Sequence, residues 1–189
     1  MNSDDISFIN GLLLKSKGGK GKIIALDLSN TVIDKSYGTD EDIDESMFGS
    51  TLIKNIILPK NTRSIGTAAF RNCIQLEAIQ IPSKVSYIGA SAFSYCISLK
   101  AITFGGNSLT HIDNWAFSDC PIKSIYIPAS VTQIDWGALD CPQLQEVHML
   151  STTPPTAVDP FYHSPVVNNG TLYVPKGLSL IHISEPTRL

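Results

Sequence analysis

The residues of this chain that could do chemistry are four cysteines, four histidines and a run of alternating carboxylates. Cys73, Cys96, Cys120 and Cys141 invite a zinc or disulfide reading. Zinc ligand pairs need about two to four intervening residues, whereas these lie 23, 24 and 21 positions apart. Asp40, Asp42 and Asp44 have the D-x-D-x-D spacing of the first calcium ligands in an EF-hand loop. Glu45 stands where that loop requires glycine and Thr51 where it requires a bidentate Glu, so the run reads as a solvated acidic insertion. His111, His148, His163 and His182 belong to no H-E-x-x-H, and no serine sits in G-x-S-x-G. Nothing pairs a nucleophile with a base, and neither catalysis, a cofactor nor a metal is expected.

The cysteine spacing has a different cause, which lies in the elements that carry it. Phe70, Phe93, Phe117 and Leu139 form a column with steps of 23, 24 and 22, and Ile65, Ile88, Ile112 and Ile134 repeat those steps. Ile53, Leu76, Leu99, Ile122 and Leu144 form another, and Pro59, Pro82 and Pro128 share one that Gly105 fills in the third unit. One unit therefore reads L-x-x-I-x-I-P-x-x-V-x-x-I-G-x-x-A-F-x-x-C-x-x. Its I-x-I alternates at period two and is stopped by proline, which is the pattern of a very short strand. A-F-x-x-C-x-x-L has three-residue spacing, which suits a helical or 3₁₀ turn. Neither piece can bury its apolar side alone, so stacked units must turn each column into an internal ladder. The product is a right-handed solenoid, with strands expected near 25–28, 55–58, 78–81, 101–104, 124–127 and 146–149, paired in parallel in sequence order. Within it the cysteines are expected as buried free thiols.

The sequence "LEAIQIPSKVSYIGASAFSYCISL", 76–99, resembles the BspA-like leucine-rich repeat nearly position for position, and the resemblance extends over roughly 23–177. It includes "LDLSNTVI" before the first full repeat and "TTPP" followed by "TLYVPKG" after the last. The resemblance implies a cell-surface or secreted protein of host-associated bacteria or some protists, a role in adhesion to proteins or cells, and no enzymatic activity in the repeats. The sequence divides into an expected N-terminal cap over 1–22, with a short amphipathic helix at 4–14 covering the open edge that a solenoid's terminal unit leaves, a solenoid of five to six coils over 23–150, and a proline-rich capping segment over 151–177. The prolines of "STTPPTAVDPF" are expected to end the repeat. The remainder, "LSLIHISEPTRL" at 178–189, resembles translated sequencing-adapter read-through and is set aside. The chain reads as a fragment of a longer surface protein.

With 43% hydrophobic and 16% charged residues in 189, the composition is that of a soluble globular domain. A net charge of −3 gives no electrostatic footprint for nucleic acid, and the basic run 15–22 with its three glycines reads as a solvated loop. No apolar run approaches the roughly 18 residues that span a bilayer, and "MNSDDISF" is acidic where a signal peptide is basic.

The inward columns are constrained by packing; the outward ones are free, or selected for a partner. The central outward column of the strands is Asp27, Ile57, Gln80, Thr103, Tyr126 and His148, and it is the candidate surface for a protein partner. A structural spacer is the alternative, as is a carbohydrate surface in which Tyr126, Trp115 and Trp136 supply stacking faces. Trp115 and Trp136 fall in turns, where a partly exposed packing role is the plainer reading. Last, Gly66 and Gly89 share a column with Asp44, Asp113 and Asp135, a choice of residues that predicts a turn with positive φ.

Overall fold

The computed structural model describes residues 24–31, 42–43 and 45–176. The expected N-terminal helix and basic loop, Asp40, Asp44 and the segment 178–189 lie outside them. The chain winds as a parallel solenoid in which each coil contributes a long strand and a short one. The long strands are β1 (Ile24–Asp27), β2 (Ile53–Ile57), β4 (Ala78–Ile81), β6 (Ala101–Phe104), β8 (Ser124–Ile127), β10 (Glu146–Met149) and β12 (Thr171–Tyr173). The short ones are β3 (Ser64–Ile65), β5 (Tyr87–Ile88), β7 (His111–Ile112), β9 (Gln133–Ile134) and β11 (Thr156–Ala157). A single turn of helix, α1 (Val166–Asn169), precedes β12.

Strand positions and parallel pairing agree with the sequence reading, but the two sides differ in continuity. The short strands form one unbroken sheet in the order β11-β9-β7-β5-β3, extended by a bridge from Ile65 to Ile43. The long strands form three pieces, β1-β2, β4-β6 and β8-β10-β12.

The expected helical turn after each short strand is absent, and the hydrogen bonds explain why. Alternate amides close turns within the coil: Ala69 N–H donates to Gly66 O, Arg71 to Ala68 O and Cys73 to Phe70 O. The amides between them leave the coil, Ala68 N–H donating to Ala90 O, Phe70 to Ala92 O and Asn72 to Ser94 O. A helix keeps every interior amide inside its own segment, so it cannot supply this ladder. Left-handed residues instead reverse alternate peptides, at Ser46, Ala68, Ser91, Trp115 and Gly137 and again at Ser50, Asn72, Tyr95 and Asp119. Gly66, Gly89, Asp113 and Asp135 do not have positive φ; the left-handed position falls two residues later. Gly89 has a different reason to be glycine: a Cβ there would lie 2.8 Å from Gly66 C and Thr67 N in the preceding coil.

The core fills the space between these faces. Phe48, Phe70, Phe93 and Phe117 stack with centroids 5.1, 5.1 and 5.3 Å apart, close to the natural spacing of paired strands. Ala69, Ala92, Ala116 and Ala138 form a fully buried small-residue column beside them. All four cysteines are buried and free. Each thiol donates to the backbone carbonyl of the phenylalanine column in the preceding coil: Cys73 to Phe48, Cys96 to Phe70 and Cys120 to Phe93 at 3.1 Å, and Cys141 to Phe117 at 3.2 Å. Hydroxyls end the column, Thr51 Oγ1 donating to Phe48 O at one end and Ser164 Oγ to Leu139 O at the other. The prolines of 151–160 do not interrupt the winding, because β11 pairs with β9, Leu139 N–H reaches Pro160 O, and β12 pairs with β10.

Candidate functional site

The outward column falls into three groups that follow the three pieces of the long-strand face. Asp27 lies beside Ile57, Gln80 beside Thr103, and Tyr126 beside His148. Asp27 Oδ1 accepts the Ser29 amide at 2.9 Å, which holds its carboxyl below the ordinary value. Ile57 is 55% exposed. Gln80 and Thr103 are exposed and carry no ring or charge.

The third group is the most organised. Tyr126 and His148 stack at 4.1 Å with planes 10° apart, and His148 stacks in turn on Tyr173 at 4.2 Å and 1°. Three rings thus stand in file on β8, β10 and β12, Tyr126 and Tyr173 being 54% and 44% exposed. The parallel register dictates the file, since it places Tyr126, His148 and Tyr173 directly opposite one another. Tyr173 is absent from the sequence-derived column; aligning "TLY" with "EVH" would have found it.

On the turn side, Trp115 and Trp136 meet edge to face at 4.5 Å, and Tyr162 packs on Trp136 at 4.7 Å. Gly137 makes this possible: its φ is +60°, and a Cβ would lie 2.5 Å from Cε3 of Trp115. Trp115 is therefore seated over the next coil, and this face does not join the Tyr126 file.

A polar cluster that the sequence reading does not contain sits on the short-strand sheet. Tyr87 and His111 are opposite one another on β5 and β7, their rings edge to face at 5.2 Å. The Tyr87 hydroxyl donates to Asp113 Oδ2. Burial and that carboxylate push the phenol up to about 12. His111 Nε2 lies 2.6 Å from Asp135 Oδ2. The opposite oxygens are held by amides: Asp113 Oδ1 accepts from Asn114 N and Nδ2, and Asp135 Oδ1 from Gln133 Nε2. Burial raises the Asp135 carboxyl, but hydrogen bonds from Gln133 and His111 outweigh it and hold the group below its usual range.

The family match agrees with this architecture. The BspA type leucine rich repeat region matches residues 41–164 in six copies. A leucine-rich repeat protein from Bacteroides ovatus is similar in structure, at 21% identity and a TM-score of 0.35, over 70% of this chain and 46% of the other. A leucine-rich cell surface protein from Faecalibacterium prausnitzii is similar at 20% identity and a TM-score of 0.42, over 71% of this chain and 50% of the other. The chain spans about half the length of these solved structures. No curated protein matches. Among the described residues, no helix is long and apolar enough to cross a membrane.

Proposed function

The chain belongs to the BspA type leucine-rich repeat family, and from that premise we propose that it is a non-catalytic binding module of a bacterial surface or secreted protein, engaging a protein partner through the outward face of its long strands. The observation that carries this reading is the file of Tyr126, His148 and Tyr173. Stacked rings are stiff and lose little rotamer freedom on binding, and tyrosine presents an apolar body with a polar tip, which is why such residues anchor protein interfaces. The exposed Ile57, at the far end of the same column, adds an apolar contact. Leucine-rich repeat proteins of this family are generally repeat modules without catalytic machinery, and the same rigid inner ladder that fixes the backbone leaves the outer residues free to vary.

The test is binding of the purified chain to an immobilised panel of extracellular-matrix, serum and bacterial surface proteins, with a glycan array in parallel. A protein ligand whose binding is abolished in the triple variant Tyr126→Ala, His148→Ala, Tyr173→Ala, while circular dichroism shows the variant folded at the assay temperature, supports the reading. Glycan binding lost in Tyr126→Ala, or in Trp115→Ala with Trp136→Ala, would replace it by the carbohydrate alternative. Binding to no member of either panel favours a spacer that displays another domain.

A further inference from the structure

We propose that His111, Asp113 and Asp135 form a binding site for a divalent transition-metal cation of zinc-like preference on the short-strand sheet. One donor atom from each residue lies within 4.8 Å of the others, and all three residues are half-buried. Two coils build the site: His111 and Asp113 project from the same side of β7 and the residue after it, and Asp135 follows β9 in the next coil. Tetrahedral donors with bonds of about 2.0–2.1 Å stand about 3.3 Å apart, so small side-chain rotations that open the 2.6 Å His111–Asp135 pair and adjust Asp113 fit the set to a cation.

The second-layer hydrogen bonds favour this reading over that of a generic surface acid patch. Each carboxylate is anchored at Oδ1 by amide donors, Asn114 for Asp113 and Gln133 for Asp135. Each thereby turns Oδ2 inward, where Tyr87 and His111 occupy it. Outer-layer partners that fix ligand orientation are the usual companions of metal-binding carboxylates. The His111 ring is itself held by its edge-to-face contact with Tyr87. One imidazole with two carboxylates suits zinc, whereas magnesium and calcium prefer oxygen alone. A cation entering here requires the His111 proton to sit on Nδ1, so that the Nε2 lone pair is free; the cation then replaces the Nε2 hydrogen bond at Asp135 Oδ2 and the Tyr87 hydrogen bond at Asp113 Oδ2. Tyr87 is accordingly a competitor for that oxygen.

Isothermal titration of the EDTA-stripped full chain with zinc chloride, and separately with magnesium chloride, tests the proposal. The expected result is one saturable zinc site per chain in the micromolar range or tighter, with magnesium far weaker. His111→Gln and Asp135→Asn each weaken zinc binding by at least about 10- to 100-fold, since losing a ligand costs no less than losing one of its outer-layer partners. The controls His148→Gln, His163→Gln and His182→Gln leave it unchanged, and Tyr87→Phe strengthens it by freeing Asp113 Oδ2. Should Asp135→Asn fail to fold, His111→Gln and Tyr87→Phe decide. The cobalt(II) derivative of the unaltered chain should show ligand-field bands without thiolate charge transfer. Absence of zinc binding, binding indifferent to His111→Gln, weakening in Tyr87→Phe, or a thiolate spectrum overturns the proposal.

Discussion

The two strand series are built by the same coils, yet the shorter strands give the continuous sheet. Two residues per strand suffice for four unbroken pairings on one side, while strands of up to five residues break twice on the other. Strand length therefore does not set the order. The short strands run directly into the turns whose alternate amides reach the next coil, and they sit against the Phe and Cys ladders. Two irregularities of coil length fall on the far side. From Phe104 to Ile112 is eight positions where Ile81 to Ile88 is seven, and from Cys120 to Ile122 is two where Cys96 to Leu99 is three. Both irregularities flank the break between β6 and β8. The less strictly tied side is also the one whose outward chemistry changes from coil to coil.

If the Phe ladder is what orders the solenoid, Phe93→Ala has the largest effect. Its ring lies between Phe70 and Phe117 and is fully buried, so the loss should be about 3–5 kcal/mol in denaturant unfolding. Tyr126→Ala, a ring of similar size on the outer face of the long strands, should cost about 1 kcal/mol, its stacking contribution. Equal costs would mean that both faces hold the fold together and would end the distinction.

The glycine column sharpens the same contrast on the short-strand side. A Cβ at Gly89 meets backbone atoms of the preceding coil at 2.8 Å, and backbone cannot step aside as a side chain can. Gly89→Ala, Gly89→Asn and Gly89→Val should all destabilise, by about 1–3 kcal/mol with Val worst, the ordinary range for overpacking. A positive φ would have spared Asn; its absence predicts that Asn fares no better than Ala. By contrast Ala68, which is left-handed at φ 54°, should tolerate glycine, while Ala69→Gly in the buried column should not. Thermal melting of these variants gives the ranking directly.

What was legible in the sequence is what recurs with the coil. The columns of Ile, Phe, Leu and Cys are inward because packing admits few residue types there, and the strand positions follow from them. The left-handed positions were hidden because Ser46, Ala68, Ser91, Trp115 and Gly137 belong to four residue types; the backbone ladder imposes φ without naming a residue. Thr51 and Ser164 were missed because an apolar pattern does not treat a hydroxyl as equivalent to a thiol, although both reach the same kind of carbonyl. Tyr173 was missed because its coil lacks the repeat. The pairing of Tyr87 with His111 was available from register, but the convergence of Asp113 and Asp135 on His111 depends on side-chain rotamers, which spacing does not encode.

The thiols test whether the inner ladder is polar as well as apolar. Interaction with the neighbouring cysteine and burial push Cys73 and Cys96 up, and burial does so for Cys120 and Cys141, so none should react with a thiol reagent in the folded protein at neutral pH. Cys96→Ala should cost about 1–2 kcal/mol through a small cavity and a lost weak hydrogen bond. Cys96→Ser keeps a donor and should cost less. Serine worse than alanine would show that the ladder is held by packing alone.

The smallest effect is expected at the break between β2 and β4. There the Glu77 amide still reaches Lys54 O at a long 3.4 Å, and the side chains of the same two residues form an ion pair at 3.2 Å. The pair is 36% and 54% exposed, so water and salt screen it, and a contribution of about 0.2–1 kcal/mol is the usual scale. Lys54→Ala should lie at the low end and vanish at high ionic strength. The double-mutant cycle with Glu77→Ala isolates the pair from each side chain's other contacts. A coupling well above 1 kcal/mol would mean that side chains replace the missing ladder across the gap, and the long-strand face would then be as firmly tied as the short one by a different device.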